Sequence, residues 1–228
     1  MDAGGIWVLL IGMLVFLALI GLGIFLLYRL ITNFQPSQNK IQNDLRRLKT
    51  EIEAWTNQLV PWGREELDTL SQFQSERTVR KGLTTVAKGV FSSIYHEPLV
   101  SYAYKRYISA KQANDIMYVR TAKHEFVYRT RKGQTQLFID NEFIGNISGD
   151  GRLFGAHNKQ LMARIERSDR LELRPIIVGE RELASLMEPK QEREVSDRAF
   201  QYVEENMMER EVLVLVAVGV REMILRSI

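Results

Sequence analysis

Cysteine is absent from the 228 residues. Disulfides, thiolate metal sites and cysteine nucleophiles are thereby excluded, while the compartment stays undecided. Histidine occurs three times, at His96, His124 and His157, in none of the spacings that place two imidazoles on one metal. A G-x-S-x-G elbow, a P-loop and a dinucleotide fingerprint are also missing. Gly149-Asp150-Gly151 reads as a turn rather than a phosphate loop. His124 and Glu125, adjacent on an expected strand, point to opposite faces. Carboxylates are scattered as on any solvated surface. The expectation is a protein that is not an enzyme, with no catalytic residue, no metal and no cofactor.

A formal net charge of +3 conceals an asymmetry. Residues 77–132 carry 12 Lys/Arg against 3 Asp/Glu, and residues 133–228 carry 13 against 17. A basic half followed by an acidic half points to an anionic partner for the first.

Ile6 to Tyr28 is a run of 23 residues without a charge. As a helix rising ~1.5 Å per residue it covers the ~30 Å hydrocarbon core of a bilayer. No basic n-region precedes it, unlike a secretory signal peptide. Arg29, Lys40, Arg46, Arg47 and Lys49 follow it against Asp44 alone. The positive-inside bias therefore predicts an outside N-terminus and a cytoplasmic bulk. Gly12, Gly21 and Gly23 form no GxxxG spacing, so the span itself carries no dimerisation signal.

Ser37 is a fitting N-cap for a helix after Pro36. Ile41, Leu45, Leu48, Ile52, Trp55 and Leu59 then alternate at spacings of four and three, the seam of a short coiled coil. That seam predicts self-association at the membrane. An amphipathic helix packed on its own domain, or lying on lipid, has the same pattern. Arg64 to Phe73 reads as a second short helical segment.

From Thr78 the chain reads as β-rich. Val86–Ile94, Ile116–Arg120 and Phe126–Thr130 are expected strands, and Glu97–Ile108 fits a strand or a helix. A repeat follows. Ile144-Gly145-Asn146-Ile147, Met162-Ala163-Arg164-Ile165 and Leu183-Ala184-Ser185-Leu186 share the order apolar, small, polar, apolar. Each follows an apolar pair and a polar turn, so each reads as the returning strand of a hairpin whose small residue admits a close backbone. Successive hairpins favour a barrel or a strongly curled sheet. Arg193 to Glu211 reads as a helix.

The run Val212 to Val220 is bracketed by charges and too short to cross a bilayer, since nine helical residues span ~14 Å. Apolar character resumes at Met223, so Glu211 to Arg226 makes a core helix that must be surrounded on all sides. A buried central strand is the alternative.

Hairpins with Gly or Ala in the returning strand, followed by an apolar C-terminal helix, resemble the tubby-like barrel shared by phospholipid scramblases and the plant LURP-one-related proteins. Over 78–228 the resemblance implies a β-barrel wrapped around that helix. The evident span is N-terminal and no cysteine-rich palmitoylation segment exists, so scramblase activity is not carried over. Val86-Ala87-Lys88-Gly89 and Glu97-Pro98-Leu99-Val100-Ser101-Tyr102 behind an anchor are also similar to the membrane-proximal domain of certain anchored ubiquitin ligases. No RING cysteines follow, and that activity is not carried over either.

The expected fold is thus α+β. A short extracytoplasmic tail (1–5) and a transmembrane helix (6–28) precede a helical stalk (36–75). A β-barrel-like cytoplasmic domain with a buried C-terminal helix occupies 78–228. Tyrosines interleave with cations in the basic segment, and the cytoplasmic leaflet attracts each Lys or Arg near it by ~1 kcal/mol. Lys105, Arg106, Arg120, Lys123, Arg129, Arg131, Lys132, Tyr104 and Tyr107 are the expected contacts to anionic lipid headgroups. The same charges would equally serve as outward strand positions paired with the acidic half. The second functional reading is a scaffold or accessory subunit of a membrane complex, oligomerising through the seam. Nucleic acid is not the expected polyanion, because no nucleic-acid module is visible.

Overall fold

The computed structural model describes residues 3–32, 36–61, 63–108, 113–166, 173–188 and 198–228. Helix α1 (Ala3–Thr32) is long and apolar enough to cross a membrane, and its Ile11–Arg29 stretch is exposed along its length. Helix α2 (Gln38–Thr56) begins where the Ser37 hydroxyl accepts the Lys40 N–H at 3.3 Å. A short helix, α3 (Arg64–Thr69), follows.

Twelve strands come next: β1 (Leu70–Arg80), β2 (Thr85–Ser93), β3 (Pro98–Arg106), β4 (Asp115–Arg120), β5 (Glu125–Arg131) and β6 (Gln134–Ile139), then β7 (Glu142–Ile147), β8 (Leu153–Gly155), β9 (Leu161–Ile165), β10 (Leu173–Val178), β11 (Arg181–Met187) and β12 (Phe200–Val203). Each pairs antiparallel with its chain neighbour. The sheet curls until Ser71 forms a single bridge with Arg198 and the Ala199 N–H donates to the Leu70 carbonyl at 2.6 Å, which makes a nearly closed barrel. Helix α4 (Glu209–Ser227) ends the chain.

The three repeat hairpins are β6–β7, β8–β9 and β10–β11. Their polar turns adopt the left-handed backbone that tight hairpins need, at Asp140 (φ 50°) and Asn141 (φ 70°), at Lys159 (φ 53°), and at Gly179 (φ 62°). The small residue of the first is sterically required. A Cβ on Gly145 would sit 2.0 Å from the Phe154 carbonyl oxygen.

Two expected helical stretches differ. The segment read as helical through Phe73 stops at Thr69, and Leu70 to Phe73 belong to β1. Leu67, Leu70 and Phe73 have helical spacing, but Leu70 pairs with Ser93 across the sheet. The helix expected over Arg193–Glu211 is replaced by β12 and a loop, with α4 beginning at Glu209; residues 193–197 lie outside the described part. Ala184 and Val203 are cross-strand partners there, and both are buried. Sheet closure overrides the helical propensity of this Glu- and Met-rich stretch.

The run 212–220 is helical, and Val214 to Val220 are all buried. Partners reach α4 from around the sheet. Tyr128 on β5 donates to the Ala217 carbonyl at 2.7 Å, and Arg221 donates to Thr135 Oγ1 on β6 at 3.2 Å. Gly219 faces Phe200 of β12 and Ile176 of β10.

Alternate hairpin tips of such a meander fall at opposite ends of the barrel. At the first end lie the β1–β2 tip (81–84), the β5–β6 tip (Lys132-Gly133) and the β7–β8 tip (148–152). Exposed Arg80, Lys81, Arg106, Arg131, Lys132 and Arg152 cluster there. At the second end exposed Glu97, Asp140, Glu142, Glu180, Glu205 and Glu209 predominate. Exposed Asp150 and Glu166 share the first end, and Lys123, Lys159, Arg181 and Arg210 the second, so the first end is basic and the second acidic in balance only.

Candidate functional site

Helix α2 lies across the outer face of strands β3 to β6. Leu48 and Ile52 are buried there against Ala103, Tyr107, Ile116, Tyr118 and Val127, and Ile41, Leu45 and Trp55 flank them. The seam from Ile41 to Trp55 is therefore occupied by the sheet, while Leu59 lies beyond the helix and is buried as well; self-association through the seam requires the helix to leave.

Polar contacts hold the helix in register. Asp44 accepts from Lys105 Nζ at 2.6 Å and from the Tyr107 hydroxyl at 2.8 Å. Lys49 Nζ donates to Glu125 at 2.8 Å, and the Tyr118 hydroxyl donates to the same carboxylate at 3.1 Å. Lys88 Nζ stands 5.4 Å from the centroid of the Trp55 ring. Burial pushes Asp44 upward, but its hydrogen bonds from Lys105 and Tyr107 outweigh this and hold it below the usual range. Glu125 behaves alike, with burial outweighed by Lys49 and Tyr118. Burial raises Tyr107 and Tyr118, and each neighbouring carboxylate raises it further.

A pH dependence follows from these shifts. Both carboxylates are more acidic with α2 docked than with α2 released. Their contribution is complete above the ordinary carboxylate range and is lost as pH falls below that range and through the depressed values of the docked state. With Trp7 and Trp62 replaced by phenylalanine, Trp55 emission should report release of α2 below about pH 4. Asp44→Asn with Glu125→Gln should flatten that transition.

Where the N-terminus of α2 meets the basic end of the barrel there is a cavity of ≈ 550 Å³. Pro36, Gln38 and Ile41 form one wall; Tyr107, Asp115, Arg129, Arg131 and Lys132 line the rest with neighbouring carboxamides. The tight turn explains the placement of its cations. Lys132 (φ 53°) and Gly133 (φ 78°) are both left-handed, so the β5–β6 hairpin turns in two residues and presents Arg131 and Lys132 at its tip. Arg129 sits 5.1 Å from the centroid of the Phe138 ring, and its Nε is buried with no hydrogen-bond partner among the described residues. Burial raises Asp115, although Thr130, Arg221 and Arg106 act against it.

The nine residues expected at a lipid surface divide accordingly. Arg129, Arg131, Lys132 and Tyr107 line the cavity. Lys105 is engaged by Asp44 beside it. Arg106 is exposed at the same end, while Arg120 and Lys123 lie toward the opposite end of β4. Tyr104 is 1% exposed, inside the barrel, with its hydroxyl pushed up to about 12 chiefly by burial. Tyrosine content signals lipid contact in sequence, but here most of these rings pack in the core or under α2. Pro36, Gln38 and Ile41 were not legible as cavity residues, because only the docking of α2 brings them there.

Among the described residues no three His, Asp or Glu converge as metal ligands. His124 Nδ1 lies 2.6 Å from Asp140 at the second end of the barrel, which joins two hairpin tips. Fold and site define a class: a nearly closed, twelve-stranded antiparallel barrel behind an apolar N-terminal helix, with a basic cavity where the two regions join. No family model, no curated protein and no solved structure matches the chain.

Proposed function

We propose that this is a non-enzymatic, single-pass membrane protein whose barrel, of the tubby-like kind plugged by α4, stands on the cytoplasmic side and binds anionic lipid headgroups. One observation carries this reading: three cations, Arg129, Arg131 and Lys132, line a cavity walled by Pro36, four residues beyond the end of the apolar helix. Four extended residues reach at most ~14 Å, so the cavity stays close to the interface that α1 enters. Anionic lipids there attract each cation by ~1 kcal/mol. The occupied seam favours this reading over the scaffold.

The test titrates the full-length protein, in neutral detergent, with short-chain phosphatidylserine or phosphatidylcholine and follows thermal stability. Phosphatidylserine should stabilise the protein and phosphatidylcholine should not. Arg129→Glu, Arg131→Glu and Lys132→Glu together remove ~3 kcal/mol of attraction and add repulsion, so affinity should fall at least ~100-fold. Equal responses to both lipids, or an unchanged response in the triple variant, would sink the proposal.

A further inference from the structure

Leu83 is 84% exposed, more than any other large apolar side chain among the described residues, α1 included. It occupies the β1–β2 tip, Lys81-Gly82-Leu83-Thr84, with exposed Arg80 and Lys81 just before it. A leucine with no packing partner, preceded by two cations, has the make-up of a side chain that enters the acyl boundary while its neighbours stay among headgroups.

Its position supports that use. Thr85, two residues beyond Leu83, pairs with Arg106; Arg106 pairs with Asp115, and Asp115 with Thr130. Thr130 and Asp115 line the basic cavity. Two strand spacings of ~4.8 Å therefore separate β2 from Asp115 and three separate it from Thr130, about 10 and 15 Å. Tip and cavity lie at one end of the barrel, the end at which the chain arrives from α1. The competing exposed side chain is Met208, at 69%. It lies at the opposite end beside Glu209, Glu211 and Glu142, with Arg210 among them, where carboxylates outnumber cations and an anionic surface is less favoured.

We propose that Leu83 is a membrane-inserting wedge: the barrel stands with its basic end on the bilayer, the β1–β2 tip in the acyl boundary and the acidic end in water. This rests on the membrane-tethered reading above, and fixes the orientation that reading leaves open. The partner surface is a bilayer containing anionic phospholipid.

The absence of cysteine gives a direct test. A single Leu83→Cys in the full-length chain takes an environment-sensitive fluorophore at one position, and Lys159→Cys serves as the control at the opposite end. Both proteins are reconstituted into phosphatidylcholine vesicles with and without phosphatidylserine, then into the same vesicles carrying nitroxide-labelled acyl chains. The label at 83 should shift to the blue and lose most of its emission to nitroxide when phosphatidylserine is present. The label at 159 should do neither. Water-like emission at 83 in both vesicle types overturns the wedge, and equal quenching at both positions overturns the end-on orientation. The two proposals separate in the Arg129→Glu, Arg131→Glu, Lys132→Glu background. Quenching at 83 that survives there, with headgroup selectivity lost, upholds both. With Arg129, Arg131 and Lys132 intact, quenching at 83 together with equal responses to the two short-chain lipids upholds the wedge and rejects the cavity as a headgroup site.

Discussion

Glu222→Ala should cost the protein about 3–5 kcal/mol, the typical cost of breaking a buried ion pair by removing one partner. Glu222 lies on α4 and its side chain is 6% exposed. Its Oε1 accepts from Arg174 of β10 and from Arg226 one turn along the helix, each at 3.1 Å. Without it, two guanidiniums remain beside one carboxylate, Glu188, which lies 2.6 Å from Arg174 and 3.5 Å from Arg226. Burial already depresses the Arg226 pKa, so this cation is the one least able to lose a counter-charge. Denaturant unfolding of the full chain measures the loss. Replacing Glu222, Arg174 and Arg226 together with apolar residues of similar volume should recover most of it, because the one charge that loses its partners, Glu188, is 37% exposed and keeps its water. A Glu222→Ala loss below about 1 kcal/mol, the range of exposed pairs, would mean that water reaches the cluster.

Gly145→Ala should be comparably severe, about 4 kcal/mol or more, in the range reserved for forced backbone displacement. The added Cβ meets the Phe154 carbonyl oxygen at 2.0 Å and its carbon at 2.9 Å, and neither atom moves without β8. Gly149→Ala is the control: nothing lies within 4 Å of a Cβ there, and the change should stay within about 0.5 kcal/mol. Equal costs at the two positions would show that β8 yields freely.

The same glycine explains why the hairpins were legible in sequence. Gly145, Ala163 and Ala184 mark strands whose neighbours or bends leave little room, and the polar turns before them fix the reversal. Strand β3 was ambiguous for the opposite reason. It is covered on both faces, by the core within and by α2 outside, so Leu99 to Tyr104 are buried without alternation. Periodicity carries no information where both faces are apolar. Arg193 to Glu211 reads as a helix because local propensity outweighs, at Phe200 to Val203, a pairing with β11 that only the finished sheet supplies. The heptad seam of α2 was visible, but its spacing cannot distinguish a second helix from a sheet as partner. The cavity was half legible: its cations stand together in sequence, whereas its other wall arrives from residues roughly ninety positions earlier.

Because every strand neighbours its predecessor, nearly all of the sheet is local in the chain. Three events are not: the docking of α2, whose Lys49 meets Glu125 76 positions on, the bridge between Ser71 and Arg198, and the arrival of α4 among residues such as Tyr128, 89 positions away. Loop-closure entropy opposes all three until their contacts form. During synthesis, then, a growing chain can raise hairpin after hairpin while its future interior still faces water. The face of the sheet that meets α4 is covered only after residues 209–227 have emerged and docked. Until then side chains such as Tyr128, buried in the finished fold, stay open to water.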